Sequence, residues 1–162
     1  MRTIEGTASA AGFRFALVVS RYNDFVTDRL QSGAVAALTA AGATGITVVR
    51  VPGAFEIPIA AQRCAQTGRF DAVVCLGAVV RGDTPHFDYV AGECARGLQD
   101  VSIDEHIPVI FGVLTTNTHE QAVARVGGSH GHAGERAAEA AVEMIAVLDQ
   151  IAHAGKKKSK AR

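Results

Sequence analysis

Apolar positions along the chain alternate between two periods. Residues 14–20 (RFALVVS), 46–51 (ITVVRV), 72–80 (AVVCLGAVV) and 107–114 (IPVIFGVL) are short, β-branched runs without polar alternation, the pattern of strands buried on both faces. Between them lie helix-period stretches at roughly 24–41, 56–67 and 87–104. The first two end near glycines suited to a C-cap, Gly42 and Gly68. After the last strand, Thr118 and Gln121 form a capping-box pattern that opens a helix. A glycine-rich break, GGSHGHAG at 127–134, precedes a long Ala-rich helix at about 135–153. Strand and helix in succession predict right-handed crossovers: an α/β fold of three layers, α/β/α, around a four-stranded parallel sheet. Residues 3–7 (TIEGT) predict an extra N-terminal strand, which needs an edge to pair with and would find it on a neighbouring subunit.

The length of 162 residues fits one domain, expected over 1–155, followed by a basic disordered tail at 156–162. Net charge is zero, yet Lys156, Lys157, Lys158, Lys160 and Arg162 crowd the last seven residues. Removing those five leaves 11 basic against 16 acidic residues, a body of net charge −5. Such a body argues against a nucleic-acid-binding domain. It also contains no lysine, so a Schiff-base lysine in the fold is excluded. No apolar run reaches the roughly 20 residues that span a bilayer, and MRTIEGTASAAG lacks a signal-peptide core, so the expectation is a soluble cytoplasmic protein without membrane contact. Cys64, Cys75 and Cys94 are far apart and read as buried free thiols.

Ligands of open α/β sheets bind beyond the carboxyl ends of the strands. That rule selects four loops: Ser20–Asn23, Pro52–Pro58, Arg81–His86 and Leu114–Thr118. In the third, Gly82 allows close backbone approach, and amides around Asp83 and Thr84 near a helix start suit an anion such as phosphate. His86 lies three residues beyond Asp83 and can exchange a proton near neutral pH. In the first loop, Tyr22 could stack on a flat heterocycle. Asn23 could bond its edges, or else cap the helix. In the second, the Glu56 carboxylate would accept hydrogen bonds from a polyol. His119, His130 and His132 lack partners at ligand spacing, so no metal is expected. No dinucleotide or Walker motif occurs, so no nucleotide cofactor is expected either.

The stretches SRYNDFVTDRL, VPGAFEIPIAAQ, GAVVRGDTPHFDYV and PVIFGVLTTNTHEQAVAR, with the GGSHGHAG break before AAVEMI, together resemble the lumazine synthase family of riboflavin biosynthesis. The resemblance covers about residues 3–147, in family order. It implies a flavodoxin-like fold and a cofactor-free condensation of 5-amino-6-(D-ribitylamino)uracil with 3,4-dihydroxy-2-butanone 4-phosphate, giving 6,7-dimethyl-8-ribityllumazine, phosphate and water. By resemblance, Tyr22 stacks on the pyrimidine, Asn23 and Glu56 contact the ribityl chain, and Ala54 and Phe55 line that pocket. Ala78, Val79 and Val80 meet the pyrimidine edge through their backbone. Asp83 and Thr84 cradle phosphate with Arg125, His86 transfers protons, and Phe111 closes the pocket. The resemblance further implies pentamers, with Phe111 and Arg125 reaching the site from the neighbouring subunit. The short loop at 127–134 matches the type that builds an icosahedral 60-mer, and riboflavin synthase is an associate such a capsid implies. One position departs: Ala133 stands where the family usually has a lysine that contacts the pyrimidine, and Arg136, His130 or His132 could substitute. That departure leaves room for a non-catalytic relative that binds flavin or lumazine. An unrelated phosphate-binding domain of similar fold is the remaining alternative.

Overall fold

The structure, a computed structural model, describes residues 1–154. The basic tail expected at 156–162 lies outside the described residues. In chain order the elements are β1 (Arg14–Ser20), α1 (Asp24–Ala40), β2 (Gly45–Val51), α2 (Ile57–Gln66), β3 (Ala72–Val80), α3 (His86–Glu105), β4 (Val109–Thr116), α4 (His119–Val123), β5 (Val126–Gly128), β6 (Gly131–His132) and α5 (Ala133–Ala154). A 3₁₀ turn, Ala54–Glu56, leads into α2. Strands β1 to β4 form the expected four-stranded parallel sheet, and its order is β2-β1-β3-β4.

Alternation along the two inner strands builds both halves of the core. Phe15, Leu17 and Val19 of β1, with Val74, Leu76 and Ala78 of β3, face the layer of α1 and α5. Ala16 and Val18 of β1, with Val73 and Cys75 of β3, face the layer of α2 and α3. The register aligns the carboxyl ends: Ser20 lies opposite Val51, and Val80 opposite Thr116. All three cysteines are free and buried, and burial pushes their thiol pKa values up, that of Cys94 to about 11.

The α1 and α5 helices pack almost backbone to backbone. A Cβ added at Gly134 would run into the Leu30 carbonyl, whose carbon would lie 2.9 Å away, and one at Gly33 would run into the His132 ring. Ala137, Ala138 and Ala141 continue this small-residue seam along α5. Both expected C-cap glycines adopt the left-handed conformation, Gly42 at φ 87° and Gly68 at φ 65°.

Three details differ from the sequence expectation. β4 runs over 109–116 where 107–114 is expected. Pro108 has no N–H and serves only as an acceptor, from the Val73 amide, so pairing starts one residue later. The helix opened by Thr118 is a single short turn of five residues. Thr118 Oγ1 accepts from the Gln121 amide, while Gln121 Oε1 accepts from Asn117 N, one residue earlier than a capping box requires. The glycine-rich break folds as the antiparallel hairpin β5–β6, so α5 begins at Ala133. Residues 3–7, expected to pair with a neighbouring subunit, form no strand within this one chain, where the Glu5 carbonyl accepts from Gln150 Nε2 on α5. Among the described residues, no helix is long and apolar enough to cross a membrane.

Candidate active site

Three of the four expected loops converge, and Leu114–Thr118 contributes no lining residue. A cavity of about 580 Å³ opens beyond the carboxyl ends of β1, β2 and β3. Tyr22 and Asn23 line it from the β1–α1 loop. Ala54, Phe55 and Glu56 line it from the 3₁₀ turn. The end of β3 supplies Ala78, Val79 and Val80, and Thr84 and His86 come from the loop into α3. Ten of the thirteen residues singled out in the sequence therefore share one concave surface.

Local chemistry explains how each is held. The amides of Arg21 and Tyr22 donate to the carbonyls of Val51 and Pro52, which laces the first loop to the second. Asn23 occupies the N-cap position of α1 at φ 61°, ψ 48°, yet its side chain makes no cap bond. Its Nδ2 donates instead to the Ala78 carbonyl, 2.8 Å away. Of the two readings open in the sequence, helix cap or ligand contact, the first therefore fails for the side chain. Among the described residues no donor reaches its Oδ1, which can accept a hydrogen bond from a ligand. Tyr22 and Phe55 are mostly exposed, at 73% and 58%, so both rings are available as stacking faces. Glu56 Oε2 folds back over Gly53: a Cβ built there would sit 3.1 Å from it. His86 is the first residue of the 20-residue helix α3, and its amide points at Thr84 Oγ1, 3.4 Å away. The amides of that first turn and the helix dipole favour a negative charge at the loop.

Gly82, expected to allow close backbone approach, also lines the cavity, and four lining residues lie outside the expected set: Gly53, Phe87, Tyr89 and Val90. Tyr89 and Val90 sit three and four residues after His86, so helical spacing from His86 was the available signal.

Asp83, Phe111 and Arg125 are not brought into this cavity. Asp83 is exposed on the loop between Gly82 and Thr84. Phe111, 44% exposed on the outer strand β4, lines a separate groove of about 280 Å³ with Leu114, Ala133 and Arg136. Arg125, just past α4, donates from Nη1 to the Gln121 carbonyl. Of the three candidates for the missing lysine, only Arg136 lines that groove, and it donates to the His130 carbonyl at 3.2 Å. The His132 ring packs against Gly33 on α1, and His130 Nδ1 is bonded to Ser129 Oγ. No group of three His, Cys, Asp or Glu side chains that could hold a metal ion occurs among the described residues.

The sequence profile of the 6,7-dimethyl-8-ribityllumazine synthase family matches residues 12–149. That span includes every strand and every residue of the cavity. The chain belongs to this family. A relative from Desulfatibacillum aliphaticivorans, a 6,7-dimethyl-8-ribityllumazine synthase, is 52% identical over 152 residues, covering 93% of this chain and 98% of its own. Family membership makes the chain a transferase at the condensation step of riboflavin biosynthesis. The three-layer fold with its four-stranded parallel sheet is consistent with the flavodoxin-like fold of the family.

Proposed function

We propose that the 580 Å³ cavity is the place where 5-amino-6-(D-ribitylamino)uracil condenses with 3,4-dihydroxy-2-butanone 4-phosphate to 6,7-dimethyl-8-ribityllumazine. One observation carries this reading. The stacking ring of Tyr22, the polyol acceptors Asn23 and Glu56, the strand end Ala78–Val80, and His86 at a helix start all line a single cavity.

In this reading the pyrimidine stacks on Tyr22, and its edge meets the main chain of Ala78, Val79 and Val80. Ribityl hydroxyls donate to Glu56 and to the free Oδ1 of Asn23, beside Ala54 and Phe55. The phosphate sits at Asp83–Thr84 through backbone amides near the α3 N-terminus, with Arg125 as the bidentate cation. The substrate's own amine attacks the ketone, and loss of water gives an imine. Phosphate then leaves by elimination, and closure of the second ring through the other amine expels water again. Each step moves a proton, and His86 is the group in reach that can give and take one near neutral pH. Residues 1–155 contain no lysine, consistent with a Schiff base made by the substrate alone.

Phe111 and Arg125 lie outside the cavity that holds His86 in their own chain. Their positions support a homo-oligomer in which each site is completed by the neighbour, as a pentamer and, with the short 127–134 hairpin, an icosahedral 60-mer. Residues 3–7, without a strand partner in this chain, would pair with the sheet of that neighbour. Riboflavin synthase is the associate and the cytoplasm the compartment that go with this reading. Arg136, in the groove with Phe111 and Ala133, takes the place of the usual lysine.

The test is a steady-state assay with both purified substrates, following lumazine absorbance, on wild type and His86→Ala beside a no-protein control. Turnover well above the control, slowed about 100-fold in the variant, is the expected result. A wild-type rate equal to the control would discard the reading and favour a relative that binds flavin without turnover.

A further inference from the structure

We propose that Arg81 is a positioning residue that braces the Gly82–His86 loop against the end of β4, and thereby sets the affinity for the phosphorylated substrate. The proposal rests on the reading of that loop and Arg125 as the phosphate site.

The loop has little to hold it in place by itself. Residues 81–86 are all exposed, and Gly82 faces open space. Its own side chains contribute one long contact, from His86 N to Thr84 Oγ1. Arg81 supplies what is missing by gripping two elements at once. Toward β4, its amide donates to the Thr116 carbonyl at 2.8 Å and its Nε to Asn117 Oδ1 at 3.1 Å. Toward α3, its Nη2 reaches Asp88 Oδ1 at 3.4 Å, and the guanidinium lies over the Phe87 ring, 4.2 Å from the centroid. Phe87 and Asp88 directly follow His86. One planar group therefore spans the loop from its first residue to the turn that carries His86.

The brace continues on the β4 side. Asn117 N donates to Gln121 Oε1 at 2.8 Å, and the Gln121 carbonyl accepts from Arg125 Nη1 at 2.7 Å. A run of hydrogen bonds, Arg81–Asn117–Gln121–Arg125, thus links the loop of this chain's site to the arginine that, in the proposed reading, serves the neighbouring site. Among the described residues, Arg81 makes the only side-chain hydrogen bond between the loop and the turn after β4. The Arg81–Asp88 ion pair, with side chains 44% and 63% exposed, contributes little alone. It is the fork geometry that matters: a lysine ammonium could keep the Asp88 contact but not the Asn117 bond and the flat stacking on Phe87 together.

The test compares wild type, Arg81→Lys and Arg81→Met, the last keeping an apolar stem without the fork. Steady-state kinetics are measured with each substrate varied, and hydrogen–deuterium exchange is followed at the amides of 82–86 without substrate. In Arg81→Met, KM for 3,4-dihydroxy-2-butanone 4-phosphate is expected to rise about tenfold, while KM for the pyrimidine stays within about twofold. Loop amides exchange faster, and the thermal midpoint moves by no more than about 2 °C. Arg81→Lys recovers only part of the KM change. Equal changes in both KM values, or no change in either, would overturn the proposal, as would wild-type exchange in the loop. If wild type itself does not turn over, the reading of the cavity falls, and the exchange rates alone decide whether Arg81 braces the loop.

Discussion

Asn23 reaches across from the β1–α1 loop and donates its side-chain amide to the Ala78 carbonyl, 2.8 Å away near the end of β3. The same residue holds the left-handed conformation at φ 61°. Two separable contributions follow. Asn23→Gly keeps the backbone geometry and loses the bond, at a cost of about 1 kcal/mol. Asn23→Ala loses the bond and also opposes the left-handed backbone, adding roughly another 1 kcal/mol. Urea denaturation of the two variants beside wild type measures the difference.

Phe111 and His86 belong to different surfaces of one chain, so defects in them should complement. His86→Ala and Phe111→Ala homo-oligomers are each expected to be nearly inactive. Co-refolded in equal amounts, they generate interfaces that unite an intact His86 with an intact Phe111. Random assembly makes about one interface in four of this kind, so recovery of up to about a quarter of wild-type activity is expected. A co-refolded sample no more active than the separate variants would mean that both residues act in the same site of one chain.

Arg136 shares its groove with Phe111 and Ala133 and is otherwise exposed. If, as proposed, Arg136 takes the place of the usual lysine at the pyrimidine, Arg136→Ala should weaken that substrate by about 1.5–3 kcal/mol, a rise in its KM of at least tenfold. The double variant Ala133→Lys/Arg136→Ala should recover much of the loss. Kinetics with the pyrimidine varied at saturating phosphorylated substrate read both changes.

The buried thiols give the fold an alkaline limit. Desolvation pushes Cys94 up to about 11 and moves Cys75 in the same direction, against 9.0 for a thiol in the unfolded chain. The native state therefore keeps protons that the unfolded state has already lost between pH 9 and about 11. The stability associated with the neutral thiols is fully present below pH 9 and falls as pH rises through that window. Cys94 alone should account for on the order of 2 kcal/mol by the top of the range. Urea midpoints between pH 8 and 11 would decline in wild type and less steeply in Cys94→Ala. A midpoint flat across that range would contradict the shift.

The parallel sheet was legible because strands buried on both faces carry an uninterrupted apolar signal; β1 and β3, at the centre, match their expected bounds to the residue. The outer strand β4 ends in Thr115 and Thr116, polar residues that an apolar run cannot announce. The β5–β6 hairpin was hidden for a different reason: two or three residues rich in glycine and histidine carry no alternation, and Gly127 at φ 101° and Gly131 at φ 75° read equally well as a loop. In the site, Tyr22 and Asn23 could be located by the rule of strand ends, but the direction of the Asn23 amide depends on a carbonyl 55 residues away. The grip of Arg81 escapes a sequence reading for the same reason, since Asn117 lies 36 residues downstream.

The seam between α1 and α5 contains a point at which the core cannot be redrawn. Where Gly134 meets the Leu30 carbonyl, the opposing surface is main chain, and no exchange of side-chain volumes on α1 can make room for an added methyl group. Across the sheet, Ile57, Cys64, Cys94 and Leu98 meet side chain to side chain, so volume lost at one can be restored at its neighbour. Libraries aimed at a hardier protein should therefore hold Gly134 fixed and vary positions where side chain meets side chain. Natural divergence should follow the same line, sparing the glycine that faces main chain.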